Sequence, residues 1–117
     1  MTDDLIYHIC KKPEWAKAEA SGRYDGSSQD RDDGFIHFSA ADQVVASAAK
    51  HRAGQSDLVL IAVEAGALGT ALRWEASRGG ALFPHLYGPL PLAAVRWVRD
   101  LPLGPDGSHR FPPLDRD

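Results

Sequence analysis

The sequence predicts a single α+β domain, in which strands and helices follow one another in no repeating order. Three observations lead there. The run Leu58-Val59-Leu60-Ile61-Ala62-Val63 is apolar without alternation, the pattern of a central strand covered on both faces. Aromatic, β-prone segments around Tyr7, Phe35 and Phe83 are set apart by Gly, Pro and Asp, as strands are. Between them lie Ala-rich stretches around 14–20 and 40–52, with the composition of helices. The chain has 117 residues, room for one buried core and not for a second.

Taken in order, Leu5 to Cys10 form a first strand, with Ile6, His8 and Cys10 on one face and Leu5, Tyr7 and Ile9 on the other. Pro13 opens a helix, where its missing N–H costs nothing, and Gly22 closes it. Arg23 to Gly34, rich in Asp, Ser and Gly, reads as a long exposed loop. Phe35 to Phe38 make a second strand. Ser39, with Asp42 three residues on, is a weak capping box for a helix from about Ala40 to Arg52 that Gly54 stops. Asp57 to Glu64 are the central strand, and Gly66 and Gly69 bracket the turn after it. Ala71 to Ser77 place Arg73, Glu75 and Ser77 opposite Leu72 and Trp74. Gly79-Gly80 breaks the chain, Leu82 to Tyr87 is extended, Gly88-Pro89 ends it, and Ala93 to Leu101 form the last strand. The domain therefore spans residues 1–101, with two or three helices and five or six strands. Residues 102–117 make a Pro- and Gly-rich C-terminal tail, expected to lie loosely on the surface.

Composition excludes several classes. Apolar residues are 44% of the chain, too many for overall disorder. Net charge is −3 with no dense run of Lys or Arg, which argues against a protein that tracks nucleic-acid phosphates. Cys10 stands alone, so no internal disulfide forms, and its apolar strand makes it a small buried hydrophobe rather than a reactive thiol. The acidic start Met-Thr-Asp-Asp is unlike a secretion signal, and no apolar run is long enough to cross a membrane. A cytoplasmic protein, monomeric by default, is the expectation. There is no Gly-x-Gly-x-x-Gly, P-loop, nucleophile elbow or zinc-ligand spacing, so no metal is expected.

The informative feature is histidine inside strands. His8, His37 and His85 lie in segments that must be half buried, where both ring nitrogens need partners. If the polar strand faces coincide, His8, His37, Ser39, Arg73 and Glu75 line one cleft, with His85 and Tyr87 closing it. Imidazole can move a proton near neutral pH, Arg73 can hold a phosphate or carboxylate, and Glu75 can act as a base or stabilise a cation. Each residue also has a plainer reading. His8 and His37 can be core histidines on backbone carbonyls, His85 can brace the following turn, Ser39 can cap a helix, and Arg73 with Glu75 can be a surface pair. Trp15, Trp74 and Trp97 read as core, and His51 and His109 as solvated.

Ile6-Tyr7-His8-Ile9, Gly34-Phe35-Ile36-His37-Phe38-Ser39 and Phe83-Pro84-His85-Leu86-Tyr87-Gly88-Pro89-Leu90, in this order, resemble the bacterial family of unknown function number 952 over roughly residues 4–101. The resemblance implies an ADP-ribosyltransferase-like fold, a split antiparallel β core with two or three flanking helices, and a dinucleotide bound between its halves. It implies that His8 contacts the dinucleotide and that Ser39, with His37 beside it, supplies the second-strand group. A late Glu has no counterpart after Glu75, and His85 stands in that region instead.

The resulting expectation is a cleft that binds NAD or an ADP-ribose-like ribonucleotide and catalyses ADP-ribosyl or phosphate-linked transfer. His85, His37 and Glu75 would be the catalytic set, and His8, Ser39, Arg73 and Tyr87 the ligand-binding set. A binding module without catalysis, and a structural domain with core histidines, are the alternatives.

Overall fold

A computed structural model of the chain describes residues 5–76 and 80–114. Ser77 and the Gly79 half of the Gly79-Gly80 break lie outside the described residues. The chain forms β1 (Leu5–Lys11), α1 (Lys12–Ser21), α2 (Ser28–Asp33), β2 (Ile36–His37), β3 (Ser39–Ala40), α3 (Val44–His51), β4 (Leu58–Glu64), β5 (Leu72–Ala76), β6 (Leu82–Leu86) and β7 (Val95–Asp100), with short 3-10 turns before β5 and β7. It is a mixed α+β domain built on two antiparallel sheets. One has the strand order β3-β1-β4-β7 and the other β2-β6-β5.

β4 is central, as its unbroken apolar run requires. Val59, Ile61 and Val63 face a core shared with Ile6, Cys10, Ile36, Phe38, Leu86 and the α1 residues Trp15 and Ala18. Leu58, Leu60 and Ala62 face a second core with Leu5, Tyr7, Val44 and Leu101. Each fully buried Leu or Ile contributes roughly 1.5–3 kcal/mol. α1 starts one residue before Pro13 and ends where Gly22, at φ +79, turns its N–H back to Ala18 O. Among the described residues no helix is long and apolar enough to cross a membrane.

Several expectations are corrected. The second strand is a strand that changes sheets: Ile36–His37 pairs with β6, Ser39–Ala40 pairs with β1, and Phe38 between them gives its N–H to Pro84 O. Ser39 is therefore a strand residue and not a helix cap. α3 begins at Val44 after Gln43, whose side-chain oxygen accepts the Ala40 N–H. The exposed loop 23–34 contains α2 and buries Tyr24, Ser27 and Asp30. Trp74 is not core, being 46% exposed.

The tail is also docked rather than loose. Leu101 N–H bonds Leu58 O, Leu103 bridges His109, and Phe111 and Leu114 pack on the second core beside Trp97. His109, expected to be solvated, donates its Nε2–H to Gln55 O at 2.9 Å.

Candidate functional site

The change of sheet at Phe38 sets the site. β1 keeps to the first sheet while β2 leaves for the second, so the two diverge beyond the Tyr7–Ser39 pair. His8 spans the gap from β1. Its Nδ1–H donates to His37 O at 2.6 Å, so in the neutral ring Nε2 carries the lone pair and accepts the Tyr24 O–H, also at 2.6 Å. Burial pushes the His8 pKa down, which keeps the ring in this form despite Asp30 close by. Burial likewise raises the Tyr24 hydroxyl and lifts the Cys10 thiol to about 11, so Cys10 stays an inert thiol in the core.

His37 lies in register opposite His85 on β6, with ring centroids 5.6 Å apart. Its Nδ1 meets Asp30 Oδ1 at 2.5 Å and its Nε2 meets Asp33 Oδ2 at 3.1 Å. Burial alone would raise Asp30, yet the His37 ring, the nearby His8 and the Ser27 and His37 amides together hold it at about 2.

His85 is buried and its Nδ1 meets Glu75 Oε1 at 2.8 Å. An ionised carboxylate only accepts, so Nδ1 is the N–H and Nε2 holds the lone pair of the neutral ring. Nε2 has no hydrogen-bond partner among the described residues. The bonds from His85 and Tyr87 hold Glu75 below its ordinary pKa, and the same contact raises Tyr87. Phe35 stacks on His85 at 4.2 Å and lies 5.2 Å from Tyr87.

A cavity of about 480 Å³ opens between this group and α3, within the range of small-molecule sites. His8, Asp30, His37, Ser39 and His85 line it, with Lys50 and Arg52 contributed from the end of α3. Of the expected residues, His8, His37, Ser39 and His85 therefore meet on one cavity. Glu75 supports His85 from behind. Arg73 and Tyr87 do not line the cavity, although Arg73 pairs in register with His85, and the Arg73 guanidinium lies 5.4 Å from the Tyr87 ring centre. The Ser39 hydroxyl takes no protein partner among the described residues.

Sequence reasoning missed Asp30, Asp33 and Tyr24. The signal for Asp30 was present as Ser27-x-x-Asp30, a capping box of the kind assigned instead to Ser39 and Asp42. Tyr24 carried no pattern of its own inside a polar stretch.

The comparisons agree with this architecture. A family of proteins of unknown function, DUF952, matches residues 9–98, and the chain belongs to it. The crystal structure of protein CC0527 from Caulobacter crescentus is 54% identical, with a TM-score of 0.87 over 91% of this chain and 93% of that one. The solution NMR structure of CC0527 is 55% identical, with a TM-score of 0.80 over 89% and 90% of the two chains. No curated protein matches.

Proposed function

We propose that this member of the family binds NAD or an ADP-ribose-like ribonucleotide in the cavity, on an ADP-ribosyltransferase-like core, and that His85 moves a proton there. The observation that carries the reading is the His85–Glu75 pair. A carboxylate fixes the tautomer from one side, and the lone pair on Nε2 is left without a partner among the described residues in a ring that lines the cavity. The two antiparallel sheets that part at Phe38 support the fold assignment. In transfer from NAD, the C1′–N bond breaks and its electron pair stays on the ring nitrogen, which leaves as neutral nicotinamide. The acceptor oxygen bonds C1′, and its proton passes to His85 Nε2. Ser39 offers a hydroxyl to the ribose, His37 lines the wall, and Arg73, in register with His85 but outside the cavity lining, meets an anion that extends past His85. A small-molecule nucleotide is the partner, and the protein acts as a cytoplasmic monomer.

Binding without turnover is the second reading. It is favoured by His8, whose two nitrogens already have protein partners. Titration with NAD and with ADP-ribose, followed by amide NMR shifts, tests both readings. Shifts at His37, Ser39 and His85 are expected, and their absence at millimolar ligand would refute the binding itself. If the protein releases nicotinamide, Glu75→Gln should slow release about a hundredfold, the loss typical of a misaligned general base, with affinity nearly unchanged. Equal rates in the two proteins would leave only binding.

A further inference from the structure

We infer that Asp30 is the positioning residue of the cleft: one buried carboxylate closes the start of α2 with one oxygen and clamps the His37 imidazole with the other, so that helix and ring move as one body. The inference deepens the proposed function and rests on it for the meaning of the cleft, but the clamp itself can be tested without any nucleotide.

The two oxygens divide the work. Oδ2 accepts the Ser27 N–H at 2.8 Å and the Ser27 O–H at 3.0 Å. Oδ1 accepts the His37 N–H at 3.2 Å and meets the His37 ring at Nδ1. His8 Nε2 stands 3.6 Å from Oδ2, too far for a hydrogen bond. Capping a six-residue helix does not call for a buried charge, since an exposed Ser or Asn caps as well. Here the carboxylate is 4% exposed, and the chain makes room for it. Gly26 has φ +100, and a Cβ there would fall 2.7 Å from Asp30 Cβ. A Gly, a Ser and a short helix are thus arranged around one carboxylate whose second oxygen faces a ring on the cavity wall.

The two partners of His37 differ in exposure. Asp30 is shut inside, while Asp33, on Nε2, is 44% exposed. The inner contact is the fixed one, and the outer contact is one an entering ligand can replace. Asp30 therefore determines which ring nitrogen His37 offers to the cavity.

Asp30→Asn tests the clamp through donor chemistry. When the Asn oxygen accepts the Ser27 N–H, its NH₂ turns toward His37 Nδ1 and the bond from the His37 backbone N–H is lost. That NH₂ donates, so Nδ1 must become the acceptor, with the ring proton on Nε2 facing Asp33. Long-range proton–nitrogen NMR of the imidazoles reads this directly. The expected result is a pyrrole-like Nδ1 at His37 in the native protein and a pyridine-like Nδ1 in Asp30→Asn. ADP-ribose affinity should fall about tenfold, the loss of one charge-assisted hydrogen bond. Ala18→Gly, which weakens α1, none of whose residues lines the cavity, should lower the melting temperature and leave both readings as they were. A pyridine-like Nδ1 in the native protein overturns the inference, whether or not the variant folds. So does a folded Asp30→Asn in which both the Nδ1 signal and the affinity stay native, or the same affinity loss in Ala18→Gly. If the native protein binds no ADP-ribose, the nucleotide reading falls and the ring nitrogens alone decide the clamp.

Discussion

Acid should weaken this fold in two stages, and Asp30→Asn should reduce the second. Folded, Asp30 titrates near 2 rather than 3.8, because its hydrogen bonds outweigh its burial. At about 1.4 kcal/mol per pH unit, the difference is worth about 2 kcal/mol. The folded carboxylate binds its proton less readily than the unfolded one. Its contribution is therefore complete above about pH 4 and is lost as the pH falls through 2. His8 has the same sign at higher pH. Burial lowers its pKa below 6.5, so the unfolded chain takes up a proton first and stability starts to fall below pH 6.5. Urea unfolding followed by tryptophan fluorescence, from about pH 8 to pH 2, reads both limbs. The native protein should lose stability below 6.5 and again below 4. In Asp30→Asn the lower limb should shrink, so that the gap between the two proteins narrows by about 2 kcal/mol between pH 4 and pH 2, the remainder coming from Glu75 and Asp106. The upper limb should deepen, because Asp30 otherwise holds the His8 pKa up. Parallel curves below pH 4 would show that Asp30 is not the charged, bonded group described above.

Two further substitutions separate rigid crowding from flexible crowding. Gly26→Ala, with φ +100 and a Cβ 2.7 Å from Asp30 Cβ, should cost at least about 2 kcal/mol in urea unfolding. Gly104→Ala would put its Cβ 2.1 Å from Arg110 Nε, the far end of an exposed side chain that can swing away, so its cost should stay within about 0.5 kcal/mol. A reversed order would contradict both assignments. Truncation after Leu103 removes Phe111 and Leu114 from the outer core and should cost about 2 kcal/mol, read as a lower melting temperature. An unchanged melting temperature would mean that the tail does not hold to that face.

Much of the framework was readable because it rests on simple periodicity. The even and odd residues of β1 divide between the two cores as strand alternation requires, and the run from Leu58 to Val63 is buried on both faces. What stayed hidden depended on long-range partners. Ser27–Asp30 and Ser39–Asp42 are the same kind of capping signal. Only the first has the stretch after it free to coil, because Ser39 is drawn into pairing with Tyr7. Tertiary pairing outranked a local cap there. Polarity misled in the stretch 23–34. Asp30 is buried because a histidine 7 residues away and a serine 3 residues away supply donors, and composition cannot show that. The tail misled for the opposite reason. Its Pro and Gly content is loop-like, but Phe111 and Leu114 carry enough apolar surface to hold it down.

The placement of the cleft follows from a single irregularity. A strand that served one sheet throughout would leave no gap beside His8, and the His37 carbonyl would have a backbone partner. Because residues 36–40 serve both sheets, that carbonyl would be an unpaired buried acceptor, which costs roughly 1–3 kcal/mol. His8 meets this need from one side at 2.6 Å, while His37 and His85, in register across β2 and β6, turn toward the cavity on the other. The first histidine is thus a consequence of the split, and the two others exploit it. Glu75 then fixes the working nitrogen of His85, and Asp30 that of His37. Glu75 does so from outside the cavity lining and Asp30 from a buried place in the wall itself, so the orientation of both rings is set by carboxylates held in the fold.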